Sequence, residues 1–131
     1  MIPKFRAWDK RSKEMWKVST LHIEDEYVDL FKKNIYENPL NDPSAKFRDV
    51  ILMQSTGLKD KNGVEIFEGD LVYYIPFESH INNSIIVFEK GSFCKKMLRN
   101  GKLTSVKFID SEEYEVIGNI HENPELLEVA E

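Results

Sequence analysis

The sequence is poor in the residues that build disulfide or zinc frameworks. Its 131 residues include a single cysteine, Cys94. One cysteine excludes an intramolecular disulfide and a cysteine-based zinc site. The three histidines, His22, His80 and His121, are too far apart along the chain to form a local metal motif. We therefore expect a domain that folds without covalent or metal staples and holds no cofactor.

Long apolar runs are also missing. The longest purely apolar runs, residues 50–53 and 85–88, contain four residues each, whereas a membrane-spanning helix needs about 20. The N-terminus becomes polar within three residues, so it lacks the apolar stretch of a signal peptide. These absences predict a reduced, cytoplasmic protein that makes no contact with a membrane.

Motifs of catalytic loops are absent as well. The glycines occur singly, so there is no glycine-rich phosphate loop, and no Gly-x-Ser-x-Gly elbow appears. The one acidic group that invites a catalytic interpretation surrounds Gly69 and comprises Glu65, Glu68 and Asp70. Carboxylates at such a chain reversal are a candidate metal or acid/base site. The alternative, which we favour, is that Gly69 permits the bend while Asp70 caps backbone amides.

What the chain does contain is typical of a folded domain. Hydrophobic residues make up 41%, charged residues 31% and aromatic residues 11%, which is too apolar and too aromatic for a disordered chain. The length fits one domain with its own core. We predict a single domain over residues 1–131, with an N-terminal region at residues 1–45 and a second region at residues 46–131.

The net charge of −5 is the sum of blocks of opposite sign. Residues 1–18 carry +4 and residues 93–109 carry +5, whereas residues 19–45 carry −4 and residues 110–131 carry −8. Either these blocks neutralise one another or occupy separate solvated faces, or the basic tracts form a surface for an acidic partner or nucleic acid. A negative whole-protein charge argues against non-specific binding to duplex DNA. The candidate partner surface comprises the basic and aromatic side chains of the two basic tracts: Lys4, Arg6, Trp8, Lys10, Arg11, Lys13, Trp16, Lys95, Lys96, Arg99 and Lys102.

The first segment predicts a hairpin that carries two tryptophans. Residues 4–8 and 14–18 alternate polar with apolar side chains and flank a polar turn at residues 9–13. Pairing the two strands is expected to bring Trp8 and Trp16 within reach of each other. Aromatic rings among basic side chains are typical of surfaces that bind single-stranded nucleic acid. The alternative, which we favour, is that the rings face the core and the basic side chains face water.

Short strands and tight turns dominate from residue 47 onward. Single glycines separate runs of β-branched and aromatic residues, and the dipeptides at positions 62–63 and 100–101 are Asn-Gly hairpin signals. Residues 24–33 fit either a helical turn or a strand, and we leave this segment open. Near the C-terminus, Asn123 followed by Pro124 predicts the start of a short helix. The positions predicted to determine turns are Gly57, Asn62, Gly63, Gly69, Asp70, Gly118, Asn123 and Pro124.

These signals together predict a mainly β fold. We expect a small, partly open SH3-like barrel or a sandwich of short antiparallel strands, with an N-terminal hairpin region and a short C-terminal helix. A barrel that stays open has free edge strands, which are able to pair with other chains. The sequence therefore leaves open whether the protein forms a homo-oligomer.

Three blocks of the sequence together resemble a known family. Residues 4–10 read Lys-Phe-Arg-Ala-Trp-Asp-Lys, residues 51–72 contain Gly-Leu-Lys-Asp-Lys-Asn-Gly-Val, and residues 114–127 contain Val-Ile-Gly-Asn-Ile-His-Glu-Asn-Pro. In this order the blocks resemble the YopX family of phage and prophage proteins. The resemblance implies a mainly β protein, encoded by a phage or prophage, in the cytoplasm of the bacterial host. It carries over no catalytic residue, and residues 19–46 and 76–112 match no family pattern.

The sequence favours an interaction module without catalysis. Segregated charge, tight hairpins and the lack of a catalytic cluster fit an adaptor or host-factor binder, whose partner we expect to be a host or phage protein. The alternative is a β-barrel that binds single-stranded DNA or RNA through the basic tracts at residues 1–18 and 93–109. A third and weaker hypothesis is a metal-dependent enzyme that uses Glu65, Glu68 and Asp70.

Overall fold

The structure is a computed structural model, and it describes residues 4–32, 43–76, 83–99 and 102–128. Within these ranges the chain forms eleven strands and one short α-helix. The strands are β1 (Phe5–Asp9), β2 (Glu14–His22), β3 (Tyr27–Phe31), β4 (Ser44–Lys46), β5 (Val50–Lys59), β6 (Glu65–Phe67), β7 (Asp70–Tyr74), β8 (Asn83–Glu89), β9 (Ser92–Arg99), β10 (Lys102–Lys107) and β11 (Tyr114–Asn119), and the helix is α1 (Glu125–Glu128). The chain divides into two compact units, residues 1–54 and 55–131.

The first unit contains an antiparallel sheet in the strand order β4-β3-β2-β1-β5, to which β5 contributes its first half. The predicted N-terminal hairpin is confirmed, because β1 pairs with β2 and the Lys13 amide donates to the Asp9 carbonyl at 2.8 Å. Lys13 closes this turn in the left-handed conformation, with a φ of 57°. Residues 24–33, which the sequence left open between helix and strand, contain β3. Residue 33 lies outside the described residues.

The core of the first unit lies on one face of this sheet. Ala7, Val28, Leu30, Ala45 and Val50 are buried there. Successive side chains of a strand point to opposite faces, so each of these residues alternates with neighbours on the other face. Burial of a side chain such as that of Leu30 is worth about 1.5–3 kcal/mol. This gain explains why Val28 and Leu30 occupy alternate positions of β3.

The second unit contains a second antiparallel sheet, in the order β10-β9-β8-β7-β11, and the second half of β5 pairs with β6. Its core is formed by Ile66, Val72, Ile86, Phe108 and Tyr114. The sheet curls, so that Phe108 after β10 packs edge-to-face on Tyr114 at the start of β11, with ring centroids 5.1 Å apart. The outer strands β10 and β11 do not pair, so no barrel closes within the described ranges.

Two predicted turn glycines close reversals in the second unit. Gly63 and Gly69 have φ values of 81° and 84°, a region that glycine enters without steric cost. The Asp70 carboxylate accepts a hydrogen bond from the Phe67 amide at 2.8 Å. Asp70 therefore caps the reversal around Gly69, as the sequence predicted.

The predicted mainly β fold of short antiparallel strands is confirmed, and the C-terminal helix is a single turn. One detail differs from the predicted N-cap, since Asn123 Oδ1 accepts from the amide of Asn119 at 3.3 Å and so serves the end of β11. The predicted turn at residues 100–101 lies outside the described residues. The SH3-like topology stays a prediction. No helix within the described ranges is long and apolar enough to cross a membrane.

Candidate functional site

The two tryptophans of the hairpin lie on opposite faces of the first sheet. Trp8 is opposite Met15, whereas Trp16 is opposite Ala7 in the core. Residues opposite each other point to the same face, so the expected contact between the two rings is wrong. Trp16 packs against the core, and Lys32 Nζ lies 4.6 Å from the centroid of its ring.

Basic and aromatic side chains meet on the face of the first sheet that points away from this core. Arg6 is opposite Lys17, and Lys17 is opposite Phe31. Trp8 follows Arg6 on the same face. Lys17 Nζ lies 5.8 Å from the centroid of the Phe31 ring. We call this set, Arg6, Trp8, Lys17 and Phe31, the aromatic-basic face.

The basic residues of the hairpin turn have a local structural role. The Arg11 amide and Nε donate to Asp9 Oδ1 at 2.9 and 3.4 Å, and its Nη1 lies 3.7 Å from Asp49 Oδ2. Burial by itself raises the pKa of Asp9, but the hydrogen bonds from Arg11 and Ser12, together with the charge of Arg11, hold this pKa below its usual value. Arg11 therefore closes the turn, while Lys10 and Lys13 are exposed.

Lys95 of the second basic tract lies on the core side of the second sheet. Its Nζ is 5.3 Å from the ring centroid of Tyr74 and 4.8 Å from that of Tyr114, and it donates to the Tyr114 hydroxyl. Burial, followed by the charges of Asp110 and Glu113, raises the pKa of Tyr114 to about 12. Lys95 thus packs between two neutral phenol rings.

The opposite face of β9 and β10 carries a basic hollow of about 300 Å³, lined by Lys90, Lys96, Lys107, Ser105 and Glu89 among others. Glu89 accepts from Ser105 Oγ at 2.8 Å and lies 3.5 Å from Lys96 Nζ. The hydrogen bond from Ser105 is the main reason why the pKa of Glu89 is lowered. Three lysines against one glutamate leave the basic hollow with two excess positive charges.

Exposed apolar side chains lie on β8, on β10 and just after β10. Phe88 is 48% exposed, Val106 50% and Ile109 66%. Phe88 packs edge-to-face on Phe93, with ring centroids 4.9 Å apart. We call Phe88, Val106 and Ile109 the apolar rim. The sequence analysis did not single out these three residues, because their exposure depends on β10 being an outer strand.

Two predicted residues, Arg99 and Lys102, are opposite each other in the register of β9 and β10. Their side chains lie outside the described part of the structure. Their strand positions extend the basic tract along the same outer hairpin, next to Lys96 on β9. Of the predicted second tract, the structure therefore places Lys96 at the basic hollow and Lys95 on the other side of the sheet.

In the part of the chain that the structure describes, the acidic residues around Gly69 do not form a metal site. Glu65 accepts a hydrogen bond from Ser55 Oγ at 2.5 Å, and Asp70 caps its own turn. Within the described ranges, no three His, Cys, Asp or Glu side chains lie close enough together to hold a metal ion. Asp70 thus supports its turn, and Glu65 links β6 to β5 through Ser55.

A carboxylate that the sequence analysis did not single out, Asp60, joins two distant parts of the second unit. Its Oδ1 accepts from the amides of Asn62 and Val64 at 2.8 and 2.9 Å, and its Oδ2 accepts from the amide of Val116 at 2.9 Å. The Lys61 amide also donates to the Tyr114 carbonyl at 2.9 Å. The Asp-x-Asn-Gly pattern predicts the turn, but it contains no signal for the bond to β11.

A second group that the sequence analysis did not predict consists of three hydrogen-bonded side chains, one each on β2, β3 and β4 of the first sheet. Asp29 accepts from Ser44 Oγ at 2.7 Å and bonds His22 Nε2 at 2.8 Å. The His22 ring stacks on Tyr27 with centroids 4.0 Å apart. The bond from His22, and then that from Ser44, lowers the pKa of Asp29. Because Asp29 lies between the other two, Ser44 has no hydrogen bond to His22 that would activate it as a nucleophile.

Comparisons with known proteins agree on one family. Residues 4–128 match the YopX family, described as YopX protein. The chain is similar to the crystal structure of protein EF1440 from Enterococcus faecalis, with a TM-score of 0.67, 35% identity and coverage of 97% of this chain and 99% of that chain. It is also similar in fold to the crystal structure of protein yopX from Bacillus subtilis, with a TM-score of 0.53, 21% identity and coverage of 95% and 97%. The comparison with curated proteins gives no match.

The three blocks that carry the resemblance in the sequence all lie within the matched residues. In the structure, β1 of the first block pairs with residues 51–54 of the second, and Asp60 of the second bonds the amide of Val116 in the third. Sequence blocks, fold and comparisons lead to the same result. The chain belongs to the YopX protein family.

Proposed function

We propose that this protein is a non-catalytic interaction module that binds another protein through the outer hairpin of its second sheet. The observation that carries the proposal is that the same outer strands carry the apolar rim and, mainly on the other face, the basic hollow. Adjacent exposed apolar side chains with a polar border are typical of interaction surfaces. The resemblance to phage and prophage proteins supports the cytoplasm of a bacterial host as the compartment.

The two parts of this surface have different physical roles in binding. Phe88, Val106 and Ile109 offer apolar area. Full burial of one such side chain is worth about 1.5–3 kcal/mol, and a partner gains the share that is still exposed, before the costs of association. The lysines of the basic hollow attract an acidic partner and orient it during encounter. Strands that carry apolar side chains on one face and lysines on the other favour a protein partner that offers both apolar and acidic side chains.

Immobilised protein and lysate of the bacterium that carries the gene test this proposal. The test variant is Val106→Glu, and the matched control is Val64→Glu, because Val64 is a valine of nearly equal exposure, 48%, in a turn of the same unit. We expect proteins that wild type and Val64→Glu capture and that Val106→Glu loses. Equal capture by all three forms, or capture by none, would overturn the proposal.

A second function is favoured by the aromatic-basic face of the first sheet. There Arg6 and Lys17 lie opposite each other, with Trp8 and Phe31 as neighbours on the same face. Cations next to flat rings bind single-stranded nucleic acid by charge and by base stacking, at about 1–3 kcal/mol per stacked base. This function predicts salt-dependent binding of a single-stranded oligonucleotide.

Fluorescence anisotropy of a labelled oligonucleotide at low salt tests the second function. The double variant Lys4→Ala with Arg6→Ala is expected to weaken binding. Lys59→Ala with Lys61→Ala is the control, because it removes the same charge from exposed positions of the second unit. Absence of any anisotropy change with wild type rejects nucleic-acid binding.

A further inference from the structure

We infer that the partner binds as an extended segment that adds a strand to the outer edge of β10, and that this segment alternates apolar with acidic residues. The inference rests on the proposed function and specifies its mode and its partner. It follows from the outer edge of β10, which pairs with no strand of the described ranges, from the closed opposite edge of the sheet and from the different chemistry of the two faces of β10.

The backbone of β10 offers an edge for pairing. The Phe108 amide donates to the Phe93 carbonyl at 3.0 Å, so residue 108 faces β9. Along an antiparallel pair, residues that bond the partner strand alternate with residues that do not. Ser105 and Lys107 therefore direct their N–H and C=O groups away from β9. No other strand among the described residues pairs with this side of β10.

The other edge of the same sheet is already closed. The outward carbonyl of Tyr114 on β11 accepts from the Lys61 amide, and the outward amide of Val116 donates to Asp60, both at 2.9 Å. A strand approaching β11 would have to displace the turn that contains Asp60. Within the described ranges, β10 is therefore the edge of this sheet whose polar backbone groups are open to a partner strand.

The side chains of β10 determine what the added strand contains. Val106 is opposite Lys95 and lies on the same face as Phe88 and Phe93. Lys107 lies on the other face, at the basic hollow with Lys96. Since residues of an added strand also alternate between the faces, every second residue meets the apolar rim and the others meet lysines. An alternation of apolar and acidic residues fits both faces.

A second copy of this chain fits the same edge poorly. Antiparallel pairing of β10 with β10 of another copy would place two basic hollows on the same face of the joined sheet. Each carries two excess positive charges, and like charges on neighbouring strands are destabilising. Lysines on an edge strand are a known means of preventing such self-pairing. The charge that rejects a copy attracts an acidic strand.

A synthetic peptide of sequence Glu-Val-Glu-Val-Glu-Val-Glu is the probe for strand addition. We expect it to bind the full-length protein, and its counterpart with lysine in place of glutamate not to bind. Lys107→Glu is expected to weaken binding about tenfold or more, because it replaces attraction by repulsion at the edge. The control Lys61→Glu makes the same charge change at an exposed position away from β10 and is expected to leave affinity unchanged.

Amide hydrogen exchange followed by NMR then tests the mode of binding. On addition of the peptide we expect slower exchange at Ser105 and Lys107, whose amides gain a partner, and little change at Val106, which already faces β9. Binding without protection of these two amides would overturn strand addition. Protection in the absence of peptide that increases with protein concentration would identify a second copy as the occupant and would also overturn the inference.

The outcome for the inference is separable from the outcome for the proposed function. If the acidic peptide does not bind while capture from lysate still depends on Val106, strand addition fails and the interaction module stands. If neither the peptide nor any Val106-dependent protein is bound, both fail. If the peptide binds as described and the lysate contains no partner, strand addition stands and the proposed function fails.

Discussion

At the scale of single residues, the bonds of Asp60 give a stability prediction. Its side chain is buried, with 5% exposure, and accepts hydrogen bonds from the amides of Asn62, Val64 and Val116. Asp60→Ala leaves these donors without that partner, so we expect the free energy of unfolding to fall by about 1–3 kcal/mol. Urea denaturation followed by far-ultraviolet circular dichroism, which reports on the strands of both units, measures this change.

The control for Asp60 is its exposed neighbour, and a conservative variant sharpens the prediction. Lys61→Ala is expected to have little effect, since the Lys61 contact to β11 uses its backbone amide. Asp60→Asn keeps one oxygen acceptor, so its loss of unfolding free energy should lie between those of Asp60→Ala and Lys61→Ala. An Asp60→Ala variant as stable as Lys61→Ala would contradict the role of the carboxylate.

Asp29 gives a prediction about pH. The bonds from His22 and Ser44 hold its pKa below the ordinary value of 3.8. A carboxyl group whose pKa is lower in the folded state stabilises the fold above the unfolded-state pKa, and this contribution is lost as the pH falls through the folded-state value. The melting temperature of wild type should therefore exceed that of Asp29→Asn at about pH 6, and the difference should shrink below about pH 4.

The exposure of the Asp29 side chain limits the size of this pH effect. The Asp29 side chain is 38% exposed, so solvent screening keeps the difference in melting temperature small. Asp25→Asn, at an exposed position in the turn between β2 and β3, is the control. A difference between wild type and Asp29→Asn that grows on acidification would have the wrong sign for this mechanism.

At the scale of elements, Gly118 is required where β11 meets the following turn. It lies at a register shift in the pairing of β11 with β7. A Cβ atom at this position would lie 2.4 Å from Asn123 Oδ1, so Gly118→Ala is expected to lower the free energy of unfolding by about 1–3 kcal/mol. The same substitution in an Asn123→Ala background should cost less, because the obstructing amide is gone. Equal losses in both backgrounds would contradict the steric explanation.

The elements also show what the sequence was able to predict. The hairpin of β1 and β2 was predictable because alternating residues flank a polar turn, and the Gly69 reversal because its capping residue is adjacent. The faces on which Trp8 and Trp16 lie were not predictable. Trp8 pairs with position 15, and a shift of one residue in register moves a side chain to the other face. Register depends on the turn conformation that Lys13 adopts.

The candidate surface was only half predictable for a related reason. The basic tract of β9 and β10 is visible as composition, whereas the apolar rim is visible only when β10 is known to be an outer strand. Strand order follows from contacts between distant parts of the chain, such as that of Asp60 with Val116, 56 positions later. Local patterns contain no information about such contacts.

At the scale of the whole molecule, the charged edge predicts the oligomeric state. We expect the wild-type protein to be monomeric at neutral pH, because the basic hollow opposes pairing of β10 with a second copy. Lys96→Thr with Lys107→Thr leaves one lysine against one glutamate, reduces the excess charge from two to zero and adds β-forming residues. Sedimentation velocity should show self-association of this variant and not of wild type. A wild-type dimer whose β10 amides are protected would contradict the prediction.

The closed edge at β11 has a consequence for how copies of the chain are able to extend the second sheet. Copies of one chain extend a sheet without limit only when every copy has two open edges, so that each copy that joins leaves an edge for the next. In the second sheet the Asp60 turn occupies one of these edges. Within the described ranges, the second sheet of each copy therefore has one open edge, β10, so pairing of copies through this sheet would stop at two and would not grow into a fibre.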